Sequence, residues 1–164
     1  MSLTKLKKRI LFVCLGNICR SPAAEGVFLS LIKRKRLEDR FFVDSAGTGA
    51  WHVGNNADER MLSAARKRGI ILQSKARQVK IEDLYDFDLI LTMDNENLAA
   101  MNLLAKDKIS NIKAEIKPIL SYSKISNSLE VPDPYYGGAN GFDNVLDLLE
   151  DSCEALLEEL SLME

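Results

Sequence analysis

Apolar positions along this chain follow two alternating patterns. Arg9–Ile10–Leu11–Phe12–Val13 is a short run of apolar, partly β-branched residues that stops abruptly, as a parallel strand buried on both faces does. From Ser21 the spacing changes, and Ala23, Val27, Leu31 and Ile32 fall on one face of a helix reaching Lys35. Ser21 is the expected N-cap, and Pro22 suits the first helical position, where its missing N–H costs nothing. The basic run Lys33–Arg34–Lys35–Arg36 closes this helix and reads as a solvated end complementing the helix dipole, not as a nucleic-acid patch.

The pattern then repeats. Phe41 to Ala46 is the next strand, followed by a glycine-rich loop over residues 47–54. Asp58 to Arg68 reads as a helix stopped by Gly69 at C′. A short apolar piece at Ile70 to Leu72 leads into a polar connection. Leu89 to Met93 is a third buried strand, Asp94 to Lys106 a helix, and Glu115 to Leu120 a fourth strand with Pro118 near its end. A loop over residues 121–141 precedes an amphipathic helix from Phe142 to Leu160, apolar through Val145, Leu148, Leu149, Leu156 and Leu160. No internal repeat or low-complexity tract interrupts this order. Four rounds of strand and helix predict an α/β fold: a single three-layer domain over residues 1–164, a four-stranded parallel sheet with helices on both faces. Residues 1–8 precede the first apolar run and are expected to be a flexible or appended N-terminus.

Composition narrows the classes. Of 164 residues, 46% are hydrophobic and 28% charged, which excludes disordered, collagenous and coiled-coil chains. The longest apolar stretch, Ile10 to Leu15, falls far short of the roughly 20 residues needed to cross a bilayer. No small-residue cleavage site follows it, so it does not read as a signal peptide either. With 24 acidic and 22 basic residues the net charge is −2, so neither nucleic acid nor membrane is expected as a partner. Three cysteines cannot pair completely, which fits a cytoplasmic protein. A monomer or weak homo-oligomer is expected.

In open parallel sheets ligands sit beyond the carboxyl ends of the strands. The loop after the first strand carries candidate chemistry there: Cys14–Leu15–Gly16–Asn17–Ile18–Cys19–Arg20–Ser21–Pro22. A tight loop leading into a helix N-terminus converges its backbone N–H groups on an anion. Arg20 at a helix start is disfavoured by the dipole unless an anion is bound, and its planar fork matches two oxygens of a tetrahedral oxyanion. Cys14 would lie at the floor of this bowl, where the same field favours thiolate over thiol. Ser21 can donate to the sulfur, cap the helix, or alternate. Taken alone, a cysteine ending a buried strand is an apolar filler and Asp133–Pro134 is turn chemistry; the strand before the loop and Ser21–Pro22 after it shift the reading toward a nucleophile aimed at a phosphoryl group.

This nine-residue segment resembles the signature loop of the low-molecular-weight protein tyrosine phosphatases, and the likeness extends over nearly the whole chain. Asp44–Ser45–Ala46–Gly47 with Trp51 resembles the second-strand loop of that family. Ala76–Arg77–Gln78 followed by residues 88–94 resembles its central stretch, and Asp133–Pro134–Tyr135–Tyr136 resembles its general-acid loop. The resemblance implies a phosphotyrosine-protein phosphatase, also active on small aryl phosphates, with Cys14 as nucleophile through a phosphocysteine and Asp133 as general acid. Arg20 and the loop from Leu15 through Gly16, Asn17, Ile18 and Cys19 to Ser21 would bind the phosphate. No metal or other cofactor is expected, because the loop itself supplies the positive charge. Asn17 is expected to hold the loop open in a left-handed conformation with Ser45 as partner. Where the family has a histidine in this network, this chain has Ser74, which puts the loop's rigidity in question. Asp94 either orients Arg20 or caps a helix. In eukaryotic members a cysteine at the position of Cys19 can form a disulfide with the nucleophile; the other reading is an inert buried thiol. Cys153 is expected in the core and His52 in an exposed loop. Trp51, Tyr135 and Tyr136 would wall a deep pocket around a phenyl ring.

Rival readings exist on the same loop. Thioredoxin-coupled arsenate reductases relay electrons through mid-chain cysteines, and none lies between Cys19 and Cys153. Protein arginine phosphatases typically have threonine where Ile18 stands, and an apolar Ile18 suits an aromatic ring better than a guanidinium. A non-catalytic phosphate-binding module would need neither Cys14 nor Asp133. Gly47–Thr48–Gly49 follows a strand but lacks the third glycine and following helix of a dinucleotide-binding turn.

Overall fold

A computed structural model describes residues 6–106, 112–134, 138 and 140–162. Its sheet has four parallel strands: β1 (Lys8–Cys14), β2 (Phe41–Gly47), β3 (Leu89–Thr92) and β4 (Glu115–Pro118), in the order β2-β1-β3-β4. The helices are α1 (Arg20–Arg34), α2 (Glu59–Arg66), α3 (Glu82–Asp86), α4 (Asn95–Lys106) and α5 (Gly141–Leu162). The chain leaves β1 toward β2 and returns on its other side to β3, so the switch in strand order falls at the end of β1. The predicted α/β architecture is the observed one.

Side chains of β1 alternate between two cores, as the period of a strand requires. Ile10 and Phe12 face α1, α2 and α5 in the larger cluster, where Val27, Phe28, Met61, Leu149 and Leu156 are buried. Leu11 and Val13 face the other way, toward Leu84 of α3 and Met101 of α4. Phe28 sits between Phe12 and Phe41, with centroid distances of 6.1 and 5.4 Å. Among the described residues no helix is long and apolar enough to cross a membrane.

Most predicted boundaries hold within two residues, and the departures have local causes. β1 begins at Lys8, inside the stretch expected to be a flexible tail. The helix α1 begins at Arg20, so Ser21 is not its cap; Cys19 occupies the cap position and makes no side-chain cap bond. Pro22 is accordingly the third helical residue, where its missing N–H still costs nothing because the first turn lacks intrahelical acceptors. β4 stops at Pro118, and residues Ile119–Tyr122 turn into a 3₁₀ helix instead of extending the strand. The one-turn helix α3 is too short to show a periodic pattern. Gly69 behaves as predicted: it has φ 77, its N–H reaches the Arg66 carbonyl, and the Ile70 N–H reaches that of Ala65. This bond pair is the Schellman stop, in which glycine accepts the left-handed turn without strain.

Helix α5 buries one polar group without a partner. Ser152 is fully buried and its hydroxyl makes no hydrogen bond. An unsatisfied buried hydroxyl costs more than the alanine that would replace it. Ser152→Ala is therefore expected to raise unfolding free energy by about 1 kcal/mol in urea titrations.

Candidate active site

The site is assembled at the carboxyl end of β1. Cys14 ends that strand, residues 15–19 form the loop, and α1 starts at Arg20. The loop's carbonyls are engaged by groups around it. Thr48 and Gly49 N–H groups donate to the Cys14 and Leu15 carbonyls at 2.9 Å, Asp58 N–H to Ile18 at 2.8 Å, and Ala23 N–H to Cys19 at 3.1 Å. In a trans peptide each carbonyl opposes the next residue's N–H. Turning these four carbonyls outward therefore turns the N–H groups of Leu15, Gly16, Cys19 and Arg20 inward. Gly47 is required for this fit, since a Cβ there would lie 2.7 Å from the Leu15 carbonyl oxygen. With no side chain capping α1, the helix N-terminus also faces the bowl.

Asn17 holds the loop in the shape predicted. Its φ is 59, in the left-handed region, and it is 2% exposed. Its backbone N–H donates to Cys14 Sγ at 3.2 Å, and its Nδ2 donates to Ser21 Oγ at 2.7 Å and Ser45 Oγ at 3.0 Å. Its Oδ1 accepts from the Arg77 N–H at 3.0 Å. Ser21 Oγ lies 3.0 Å from Cys14 Sγ, so of its predicted roles the hydroxyl serves the sulfur. Ser45 in turn donates to Glu25 Oε1 at 2.6 Å. Ser74 lines the same surface cavity as Glu25, and its hydroxyl favours the carboxylate form there. Arg77 is anchored from outside, its guanidinium gripping Asp83 at 3.0 and 3.1 Å and Asp44 at 3.0 Å.

Arg20 is 3% exposed. One guanidinium nitrogen donates to Asp94 Oδ2 at 2.7 Å and to the Val131 carbonyl at 3.0 Å; the other lies 3.8 Å from Asp133 Oδ2. Asp94 fills both roles left open for it, because its Oδ1 accepts from the Asn97 N–H at 2.8 Å and caps α4. The pocket measures about 330 Å³ and is lined by Cys14, Leu15, Gly16, Ile18, Cys19, Arg20, Trp51, His52 and Asp133. Trp51 forms its lip, 72% exposed. His52, expected in an exposed loop, is half-buried on the pocket wall, where its ring covers Gly16. Tyr135 and Tyr136 lie outside the described residues.

Burial sets the other titratable groups. It pushes the Cys19 thiol up to about 12, helped by the nearby Asp58 carboxylate. Cys153 is buried in the α5 core and its thiol is pushed up strongly. Burial also raises Glu25 above the usual carboxylate range, opposed by the hydroxyls of Ser45 and Ser74. Glu25, Arg77 and the Val131 carbonyl were not singled out for these roles in the sequence. Glu25 follows an unremarkable alanine pair inside a helix, and a main-chain acceptor leaves no mark on residue identity.

A strand-ending cysteine beneath inward amides, with a buried arginine beside it and a carboxyl at the mouth, defines a cysteine-based phosphatase site. The model of the low molecular weight phosphotyrosine protein phosphatase family matches residues 9–163, and the chain belongs to that family. It is 44% identical over 152 residues to the low molecular weight protein-tyrosine-phosphatase YfkJ of Bacillus subtilis, covering 92% of this chain and 94% of that one. The crystal structure of a protein tyrosine phosphatase from Entamoeba histolytica superposes with a TM-score of 0.87 at 41% identity, covering 94% and 97% of the two chains. The Drosophila arginine phosphatase structure superposes with a TM-score of 0.87 at 33% identity, covering 92% and 96%.

The two oxygens of Asp94 can be separated by substitution. Asp94→Asn and Asp94→Ala both leave Arg20 without its carboxylate, and each is expected to lower phosphatase turnover at least about tenfold. Asparagine still caps a helix, so Asp94→Ala alone should cost about 1 kcal/mol of further stability in denaturant titrations.

Proposed function

We propose that this protein hydrolyses phosphotyrosine in proteins, and small aryl phosphates, through a phosphocysteine at Cys14. The observation that carries this reading is the seat of the Cys14 sulfur. It accepts from the Asn17 N–H and faces the Ser21 hydroxyl at 3.0 Å, on the floor of a pocket shared with Arg20 and Asp133. In the first step Cys14 Sγ forms a bond to phosphorus as the bond to the phenolic oxygen breaks, and that oxygen takes a proton from the Asp133 carboxyl. Arg20 and the inward amides stabilise the equatorial oxygens, whose charge spreads in the transition state. In the second step the Asp133 carboxylate takes a proton from water. The water oxygen bonds to phosphorus, and phosphate leaves with release of the thiolate.

The pocket walls bear on which phosphoryl group enters. Ile18 and Trp51 supply apolar and aromatic surface for a phenyl ring, whereas a phosphoarginine guanidinium would leave polar N–H groups against Ile18. The likeness to the Drosophila arginine phosphatase makes phosphoarginine the second substrate to try. A cytoplasmic workplace fits three free cysteines and a nucleophile that must stay reduced.

Phosphate release from a phosphotyrosine peptide tests the reading, with phosphoarginine run in parallel. Cys14→Ser is expected to abolish release, and Asp133→Ala to lower kcat about 10²- to 10⁴-fold on phosphotyrosine. Release from phosphoarginine alone would keep the mechanism and overturn the substrate. No release from either substrate by the native protein would overturn both.

A further inference from the structure

Asp133, the proposed general acid, is supported from two sides. On the near side the Val131 N–H, two residues earlier, donates to the Met93 carbonyl at 2.7 Å. On the far side the buried Pro134 meets the start of α5: a Cβ on Gly141 would lie 3.5 Å from the Pro134 Cβ and 3.6 Å from its Cα. Whatever fixes the first turn of α5 therefore bears on the residue next to Asp133. Phe142 follows Gly141 in that turn and is 6% exposed.

A cleft of about 480 Å³ separates α2 from the first turn of α5, and the Arg60 guanidinium spans it to lie over the Phe142 ring, 4.8 Å from the centroid. That is within the roughly 6 Å over which an aromatic face attracts a cation. Asp58 fixes the guanidinium at two points: Nε donates to Oδ1 at 3.1 Å and a terminal nitrogen to Oδ2 at 3.0 Å. A planar grip of this kind sets direction as well as distance. Asp58 is in turn tied to the loop after β1, its N–H donating to the Ile18 carbonyl at 2.8 Å. Contacts thus run from Ile18 through Asp58, Arg60 and Phe142 to Pro134 and Asp133. Arg68 also joins α2 to α5, but the carboxylates it grips, Asp143, Asp147 and Glu150, are 57%, 59% and 39% exposed, and exposed pairs hold little.

We propose that Arg60 is a positioning residue for the general acid: held by Asp58 and laid on Phe142, it sets where the Asp133 carboxyl stands relative to the loop after β1. Arg60 is not among the described residues that line the substrate pocket, so its influence on the reaction runs through what it holds. The proposal rests on the reading of Asp133 as proton donor to the leaving phenolate. A general acid works only within hydrogen-bond reach of that oxygen, and a small displacement removes much of its contribution. The loss falls unequally on different substrates. Phenolate is a poor leaving group and needs the proton as its bond to phosphorus breaks. Dinitrophenolate spreads its charge over the nitro groups and departs with little help. Leaving-group dependence therefore reads the place of Asp133 and is insensitive to a general loss of stability.

The test is kcat/KM, which covers the steps through loss of the phenol, for phenyl phosphate and dinitrophenyl phosphate. It is measured in the native protein, Arg60→Ala, Arg60→Lys, Asp133→Ala and the double variant of Arg60→Ala with Asp133→Ala. Arg60→Ala is expected to lower the value for phenyl phosphate about tenfold, part of the 10²- to 10⁴-fold that a general acid contributes, and to change that for dinitrophenyl phosphate less than about twofold. Arg60→Lys keeps a cation over the ring but loses the two-point grip, and should fall between the native protein and Arg60→Ala on phenyl phosphate. With Asp133 already replaced, adding Arg60→Ala should leave the ratio of the two substrates as it is, as expected when one residue acts through the other. Equal losses on both substrates, an unchanged ratio in Arg60→Ala, or a further change in the double variant would overturn the proposal. If Asp133→Ala itself kept the native ratio, the assignment of Asp133 as the acid would fall, and the role of Arg60 with it.

Discussion

One backbone conformation supports the rest of this site. Asn17 must hold φ near 59 for the chain to reverse between the end of β1 and the start of α1, and it does so while 2% exposed. Glycine would accept the same φ more readily, but it would bring no amide. The side chain of Asn17 makes three hydrogen bonds to three separate elements: α1 through Ser21, β2 through Ser45, and the connection before α3 through Arg77. A left-handed residue held on three sides keeps the loop amides turned inward toward one point. Such preorganisation makes electrostatic stabilisation effective, because no reorganisation is left for the moment of reaction.

The buried guanidinium of Arg20 is a second constraint, and it explains the placement of α4. A charge at 3% exposure requires partners, and Asp94 and the Val131 carbonyl supply them. Asp94 can do this because the carboxyl end of β3 lies beside that of β1, which is what parallel pairing from Ile10–Leu89 to Val13–Thr92 enforces. Val131 is held by its own N–H on the Met93 carbonyl, one residue past the same strand. Strand register thus determines the plane of the arginine, and α4 is capped by the carboxylate that holds it.

How much of this was legible in the chain depended on the range of the interaction. Strand runs such as Ile10 to Val13 and helix faces such as Val27 and Leu31 were readable because burial imposes a period on neighbouring residues. Gly69 was readable because a left-handed stop limits residue type. Of the two roles that local preference and spacing allow Ser21, the cap gives way: the nearby sulfur and Asn17 claim its hydroxyl, and the open cap faces the pocket instead. His52 was misread because its place depends on how the loop after β2 folds over Gly16, a contact that sequence spacing does not encode. The signature loop itself, with its Cys14, Arg20 and Asn17, was readable for the opposite reason: few sequences combine a strand-ending cysteine, a left-handed asparagine and an arginine at a helix start.

Ser74 illustrates how the structure resolves a question that the sequence raised. The absence of a histidine at this position suggested a looser loop, but the bonds that hold Asn17 come from Ser21, Ser45 and the Arg77 main chain. Position 74 acts one step further back, on Glu25. A neutral hydroxyl there stabilises the carboxylate less than an imidazolium would, since only the latter adds a full opposite charge. The consequence falls on the proton balance of Glu25 rather than on the shape of the loop. Rigidity is supplied by Asn17 and its main-chain partner, which do not titrate.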